Sequence, residues 1–184
     1  VNEPQQQAKY DPIVKTLHWT WAFVWIAVWS MGILAVYWRE ALNSYNQLTT
    51  AHKAFGMALL VLIALRVIWR LVRKPPPLVV PMTDAERAAH GAHLMLYAVA
   101  IFALPLSGWI WSSVAGEPIT LLELVKIPPL MGPAPDYYGI AKWTHLGIAW
   151  VTGLLVLAHI LMALKRHFVD RDQTLRNMLP GRSA

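Results

Sequence analysis

The stretch WTHLGIAWVTGLLVLAHILM, residues 143–162, is apolar enough to lie in hydrocarbon, yet it carries His145 and His159. In a helix turning about 100° per residue, 14 steps come to ~1400°, about 40° short of four full turns, so both rings leave nearly the same face. At 1.5 Å per residue they stand about 21 Å apart along the axis, most of the ~30 Å hydrocarbon thickness. One helix thus offers an imidazole near each membrane surface. That geometry suits two stacked metal cofactors, provided that other helices supply the opposite ligands.

The rest of the chain has the same character. Of 184 residues 57% are hydrophobic and only 14% charged, with a mean hydropathy of +0.42. A soluble domain of this length carries nearer a quarter charged residues. The expectation is an all-α protein of one domain over residues 1–184, a four-helix transmembrane bundle with spans near 13–38, 48–72, 88–111 and 138–167. The first span is read as a membrane helix rather than a cleaved leader, because it is too long and no small-x-small site follows it. The prolines of RKPPPLVVP (73–81) end the second span. The segment 112–136 is too broken to cross, and PITLLELV within it is expected to form a short interfacial helix.

Charge orients the bundle. Twelve of the 16 Lys and Arg residues fall on one side, leaving only Arg39, Lys53, Lys126 and Lys142 on the other. The excess of basic residues marks the cytoplasmic side, so both termini are expected there. Trp38, Trp109, Trp111 and Trp143 then fall at the outer boundary, where aromatic belts sit. The net charge of +6 is read as membrane-surface charge, since no soluble basic domain is present to bind nucleic acid. The absence of cysteine removes thiolate ligands and iron–sulfur clusters, which leaves His, carboxylate or Met for any metal.

Depth sorts the histidines. His18 starts the first span at the inner face, and His52 starts the second at the outer face. The fourth span runs from outside to inside, so His145 is outer and His159 inner. The expected pairs are His52 with His145 and His18 with His159, each giving two axial imidazoles to one iron and leaving no open position. That arrangement is what bis-histidine haem b needs for outer-sphere electron transfer. Ordinary buried histidines serve in polar networks, but four at two matched depths on three helices point to ligation. Zinc or copper would want carboxylate or thiolate ligands beside them.

Other residues allow two readings each. Gly56, Gly147 and Gly153 either let a porphyrin face approach the backbone or serve close helix packing. Arg66, 14 residues after His52, either neutralises a haem propionate or snorkels to the surface. His90 and His93 could bind a quinone head group or propionates, with a polar interface as the default. His167 is read as an exposed helix-end residue.

KTLHWT (15–20), HKAFGMALLVLIALRVIWRL (52–71) followed by PPP, AHGAHLMLY (89–97), KWTHLGIAW (142–150) and AHILMALKRHFVDRDQTLRNMLP (158–180) together resemble the bacterial cytochrome b561 family. The resemblance spans nearly the whole chain. It implies a four-helix bundle with two b haems in a bacterial inner membrane, and an activity found in one member: oxidation of periplasmic superoxide with reduction of membrane ubiquinone. On that reading Lys142 and Lys53, beside the outer histidines and near Arg39 in depth, would steer the anion inward, although interfacial lysines also snorkel to lipid head groups. The alternative is a cytochrome b subunit that anchors a periplasmic dehydrogenase or hydrogenase, docked on residues 112–136, and passes its electrons to quinone.

Overall fold

The computed structural model describes residues 12–72, 91, 95, 98–121, 124–171 and 173–179. Helix α1 runs Pro12–Tyr37 and α3 runs Gln47–Val72, with the one-turn helix α2, Arg39–Leu42, between them. The described part of the next span is a π-helical turn, Ala98–Ala103, that continues into α4, Leu104–Val114. Strands β1, Ile119–Leu121, and β2, Val125–Ile127, follow; then come a 3₁₀ turn at Pro135–Tyr137, α5 at Tyr138–Phe168 and α6 at Thr174–Met178. Among the described residues three helices are long and apolar enough to cross a membrane: Pro12–Tyr37, Gln47–Trp69 and Pro135–Phe168. Most of residues 88–97, including His90 and His93, lies outside the described residues.

Helices α1 and α3 pack as one antiparallel pair, α4 and α5 as another. Tryptophans tie the pairs together. Trp21, Trp25 and Trp29 stack at four-residue spacing along α1, with ring centroids 6.3 and 6.2 Å apart. Trp25, Val28 and Leu59 form the buried centre, with Leu104 and Val156 packed against it. The Trp29 Nε1–H donates to the Ala149 carbonyl of α5 at 2.9 Å. That approach is open because position 153 is glycine: a Cβ there would stand 2.8 Å from the Trp29 ring. Gly153 thus follows the packing reading, and Gly147 abuts nothing within 4 Å.

The expectation of a short interfacial helix at PITLLELV is overturned. Its first and last described parts pair as an antiparallel β-hairpin, Ile119 opposite Ile127 and Leu121 opposite Val125. Pro118 and Pro128 bound the segment, Ile119, Thr120, Val125 and Ile127 are β-branched, and so short a helix is marginal in isolation. Packing decides the matter: β1 lies on α3 and buries Ile119. The fold is therefore mostly helical, with one small hairpin over the end that carries the start of α3.

Two joints hold that end. Asn43 is fully buried and stands in for the missing N-cap of α3, its Oδ1 accepting from the N–H groups of Leu48 (2.9 Å) and Thr49 (3.3 Å). At the end of α4 the N–H of Gly116 donates to Ser113 O and that of Glu117 to Ser112 O, both at 3.0 Å. This is a Schellman ending, and Gly116, at φ +69°, is its left-handed residue.

Candidate functional site

The hairpin end of the molecule contains a cavity of about 580 Å³ between the two helix pairs, lined among others by His52 from α3 and His145 from α5. Their ring centroids are 6.1 Å apart, with planes crossing at 72°. At the opposite end the His18 and His159 rings lie 6.4 Å apart at 60°. Two imidazoles on opposite sides of one metal, with metal–nitrogen bonds of about 2.0–2.1 Å, place their ring centres about 6.3 Å apart. Both pairs match that separation. Among the described residues no three His, Cys, Asp or Glu side chains converge as a metal cluster. Two trans nitrogens suffice for a porphyrin iron, whose other four ligands come from the macrocycle.

Hydrogen bonds set the rings of His52 and His145. His52 Nδ1 lies 2.8 Å from the Val28 carbonyl, which can only accept, so that nitrogen carries the proton and Nε2 keeps its lone pair. His145 Nδ1 lies 3.0 Å from Ser107 Oγ, whose own hydrogen goes to the Leu104 carbonyl at 2.8 Å. The serine oxygen is thus an acceptor here, beside the Leu104 carbonyl, and His145 has the same tautomer. Metal-bound histidines commonly donate their second N–H to an oxygen in this way.

Glycines make the room. A Cβ at Gly32 would stand 2.8 Å from His52 Cε1, and one at Gly108 would stand 3.0 Å from His145 Cε1. Gly56 lines the cavity, and a Cβ there would meet nothing within 4 Å, which leaves its face open to a flat ligand. Trp21 also lines the cavity, and its buried Nε1 has no hydrogen-bond partner among the described residues. Trp111 packs on His145 with ring centroids 5.7 Å apart and planes tilted by 43°, so it belongs to this site. The residues present fit a haem.

The charged residues at the mouth are not equivalent. Arg39, Lys53, Lys142 and Glu117 all line the cavity. Lys53 Nζ pairs with Glu117 Oε2, so it is not the free cation that its place beside His52 suggests. Lys142 lies 5.5 Å from the Trp143 ring, and Arg39 donates to Asn46 Oδ1 at 3.2 Å. Arg66 lies in α3, with its side chain outside the described residues. His167, expected to be exposed, is half-buried with its Nδ1 enclosed.

Gly32, Gly108, Ser107 and Glu117 escape a reading of the sequence alone. Their roles depend on neighbours 20 to 64 positions away. The adjacency of Ser107 and Gly108 in an apolar helix was the one local signal available.

The family model for prokaryotic cytochrome b561 matches residues 9–181. The chain is 32% identical over 179 residues to cytochrome b561 homolog 2 of Escherichia coli K12, covering 96% of this chain and 93% of that one. It is 29% identical to cytochrome b561 homolog 1 of the same organism, over 90% of this chain and 94% of that one. It is also 29% identical to the probable superoxide oxidase CybB of Yersinia pestis, over 94% of this chain and 96% of that one. A helical membrane architecture, paired histidines and a match along nearly its whole length all agree: the chain belongs to the prokaryotic cytochrome b561 family of haem b electron-transfer proteins of the membrane.

Proposed function

We propose that this protein carries electrons through a bacterial inner membrane between two b haems, oxidising superoxide at the outer face and reducing ubiquinone within the bilayer. The observation that carries the reading is the pair of imidazole contacts, 6.1 and 6.4 Å between ring centres, at the two ends of one bundle. His52 and His145 would hold the outer haem, and His18 and His159 the inner. When bound, each haem supplies an iron that changes oxidation state by one electron. The four histidines would hold the two groups, and the rest of the chain would insulate them and steer the substrates. Gly32, Gly56 and Gly108 leave room for the macrocycle, and the tryptophan ladder of α1 walls it from lipid. Arg39 and Lys142 draw a small anion to the mouth. Superoxide leaves as dioxygen after giving up one electron; two such electrons and two protons convert ubiquinone to ubiquinol. Both termini lie on the cytoplasmic side in this reading, which the distribution of basic residues supports. The likeness to a probable superoxide oxidase supports the choice of donor.

The test is the purified protein itself. Pyridine haemochrome analysis should return close to two b haems per chain, low-spin in both oxidation states, and superoxide should reduce them with ubiquinone as final acceptor. One haem, or a high-spin spectrum, overturns the paired-ligand reading. Failure of superoxide to reduce a protein holding two haems removes the donor alone. The second reading, a subunit serving a periplasmic dehydrogenase or hydrogenase, then takes its place, supported by the exposed apolar Leu124, Val125, Leu130 and Met131 near the hairpin.

A further inference from the structure

We infer that Ser107 is a positioning residue for the outer haem: its hydroxyl holds His145 with Nε2 free for iron and sets how strongly that ligand donates electrons. The inference rests on the two-haem reading. A serine hydroxyl has one hydrogen, and in α4 it is committed to the Leu104 carbonyl at 2.8 Å. What remains toward His145 Nδ1, 3.0 Å away, is an oxygen lone pair. Ser107 and His145 are both buried away from water, and the other oxygen that this nitrogen meets is the Leu104 backbone carbonyl. A serine facing its own helix usually bonds back to a carbonyl and does nothing more. Here the same oxygen also receives a proton donor from another helix.

The neighbouring residues leave the ring little freedom. Gly108, the next residue, lies so close that a Cβ would be 3.0 Å from His145 Cε1 and 3.3 Å from Nδ1, and Trp111 covers another side at 5.7 Å. Helix α4 is aimed for this contact from its first turn. Pro105 has no N–H and its ring crowds the carbonyl four residues back; the chain widens into a π-helical turn over Ala98–Ala103 immediately before it. The two outer ligands therefore share a tautomer but not an acceptor. His52 donates to a backbone carbonyl, which no substitution can delete, whereas the N–H of His145 is shared between the Leu104 carbonyl and the Ser107 hydroxyl, of which the hydroxyl can be changed. A hydrogen bond from the far nitrogen increases the electron density that an imidazole gives its metal and favours the oxidised iron. Ser107 thus tunes one haem and leaves the other untouched.

Ser107→Val and Ser107→Thr have nearly the same shape and differ in the hydroxyl, so together they isolate the hydrogen bond. Both are purified as holoprotein and titrated potentiometrically, with the two haems resolved by their spectra. Thr should keep the wild-type potentials. Val should raise the outer component by about tenfold in its reduction equilibrium constant, about 59 mV for one electron, and leave the inner component in place. Loss of the outer haem from Val with retention in Thr also supports the inference, since second-sphere partners govern metal affinity. Wild-type potentials in Val, or equal shifts in Val and Thr, overturn it. If both variants lose the outer haem through crowding, Ser107→Ala, which only removes atoms, is titrated by the same criterion. A wild-type protein with fewer than two b haems fails before any variant is made, and that result marks the two-haem reading as the one at fault.

Discussion

At the scale of single residues, neither charge nor clearance around the His52–His145 cavity follows from position along the chain. Lys53 adjoins His52 and reads as a steering cation, but Glu117, 64 residues later, takes its charge. Removing that acid by Glu117→Gln should release a cation beside the cavity and speed superoxide-driven haem reduction a few-fold. Lys142→Glu should slow it by a similar factor. Both effects should shrink with added salt, because screening shortens to ~8 Å at physiological ionic strength, and reduction by a neutral donor should not change. Stopped-flow absorbance at low and high salt makes the comparison, and equal rates throughout would rule out steering. Gly108→Ala tests clearance. His145 lies between Ser107, Trp111 and this glycine, so a methyl group 3.0 Å from Cε1 must push the ring off its axis. Outer-haem affinity should fall by about 10-fold or more, read as loss of one spectral component on dilution.

At the scale of elements, apolar length was legible and local joints were not. Uninterrupted hydrophobic runs place α1, α3 and α5 because hydrocarbon allows no unsatisfied backbone, which makes a helix the cheapest conformation for such a segment. Residues 119–127 carry the opposite lesson: apolar periodicity suggests a helix, while flanking prolines, β-branched side chains and the surface of α3 select a hairpin. The start of α3 depends on Asn43, four residues before Gln47, which no capping pattern would have nominated. Asn43→Ala should cost about 1–3 kcal/mol, because the side chain is fully buried and the N–H groups of Leu48 and Thr49 lose their acceptor. Thermal unfolding of the detergent-solubilised protein would measure this, and Asn43→Asp, which keeps an acceptor oxygen, should recover part of it. An unchanged midpoint for the alanine variant would mean that the joint bears no load.

At the scale of the whole molecule the two cofactor levels should be separable. His145→Ala should remove the outer haem spectrum and leave the inner, and His159→Ala should do the reverse, because the histidines stand about 21 Å apart on one rigid helix. Loss of the opposite component in each variant would invert the assignment, and reduced-minus-oxidised spectra of the two proteins decide it. The spacing behind this prediction is a property of sequence alone: within one helix, 14 residues dictate both distance and face. The membrane spans, the two depths and the side carrying most of the basic residues are local or additive quantities of the same kind. Other features required the chain to fold. Which imidazoles face each other depends on how α1, α3 and α5 rotate about their axes. The tautomer of His145 depends on a serine from α4, the clearance of His52 on Gly32 of α1, and the charge of Lys53 on the turn that ends α4. Each joins residues distant in the chain at contact distances of a few ångströms. Sequence periodicity carries no information at that range, because a helix keeps its own geometry while its neighbours are free to turn.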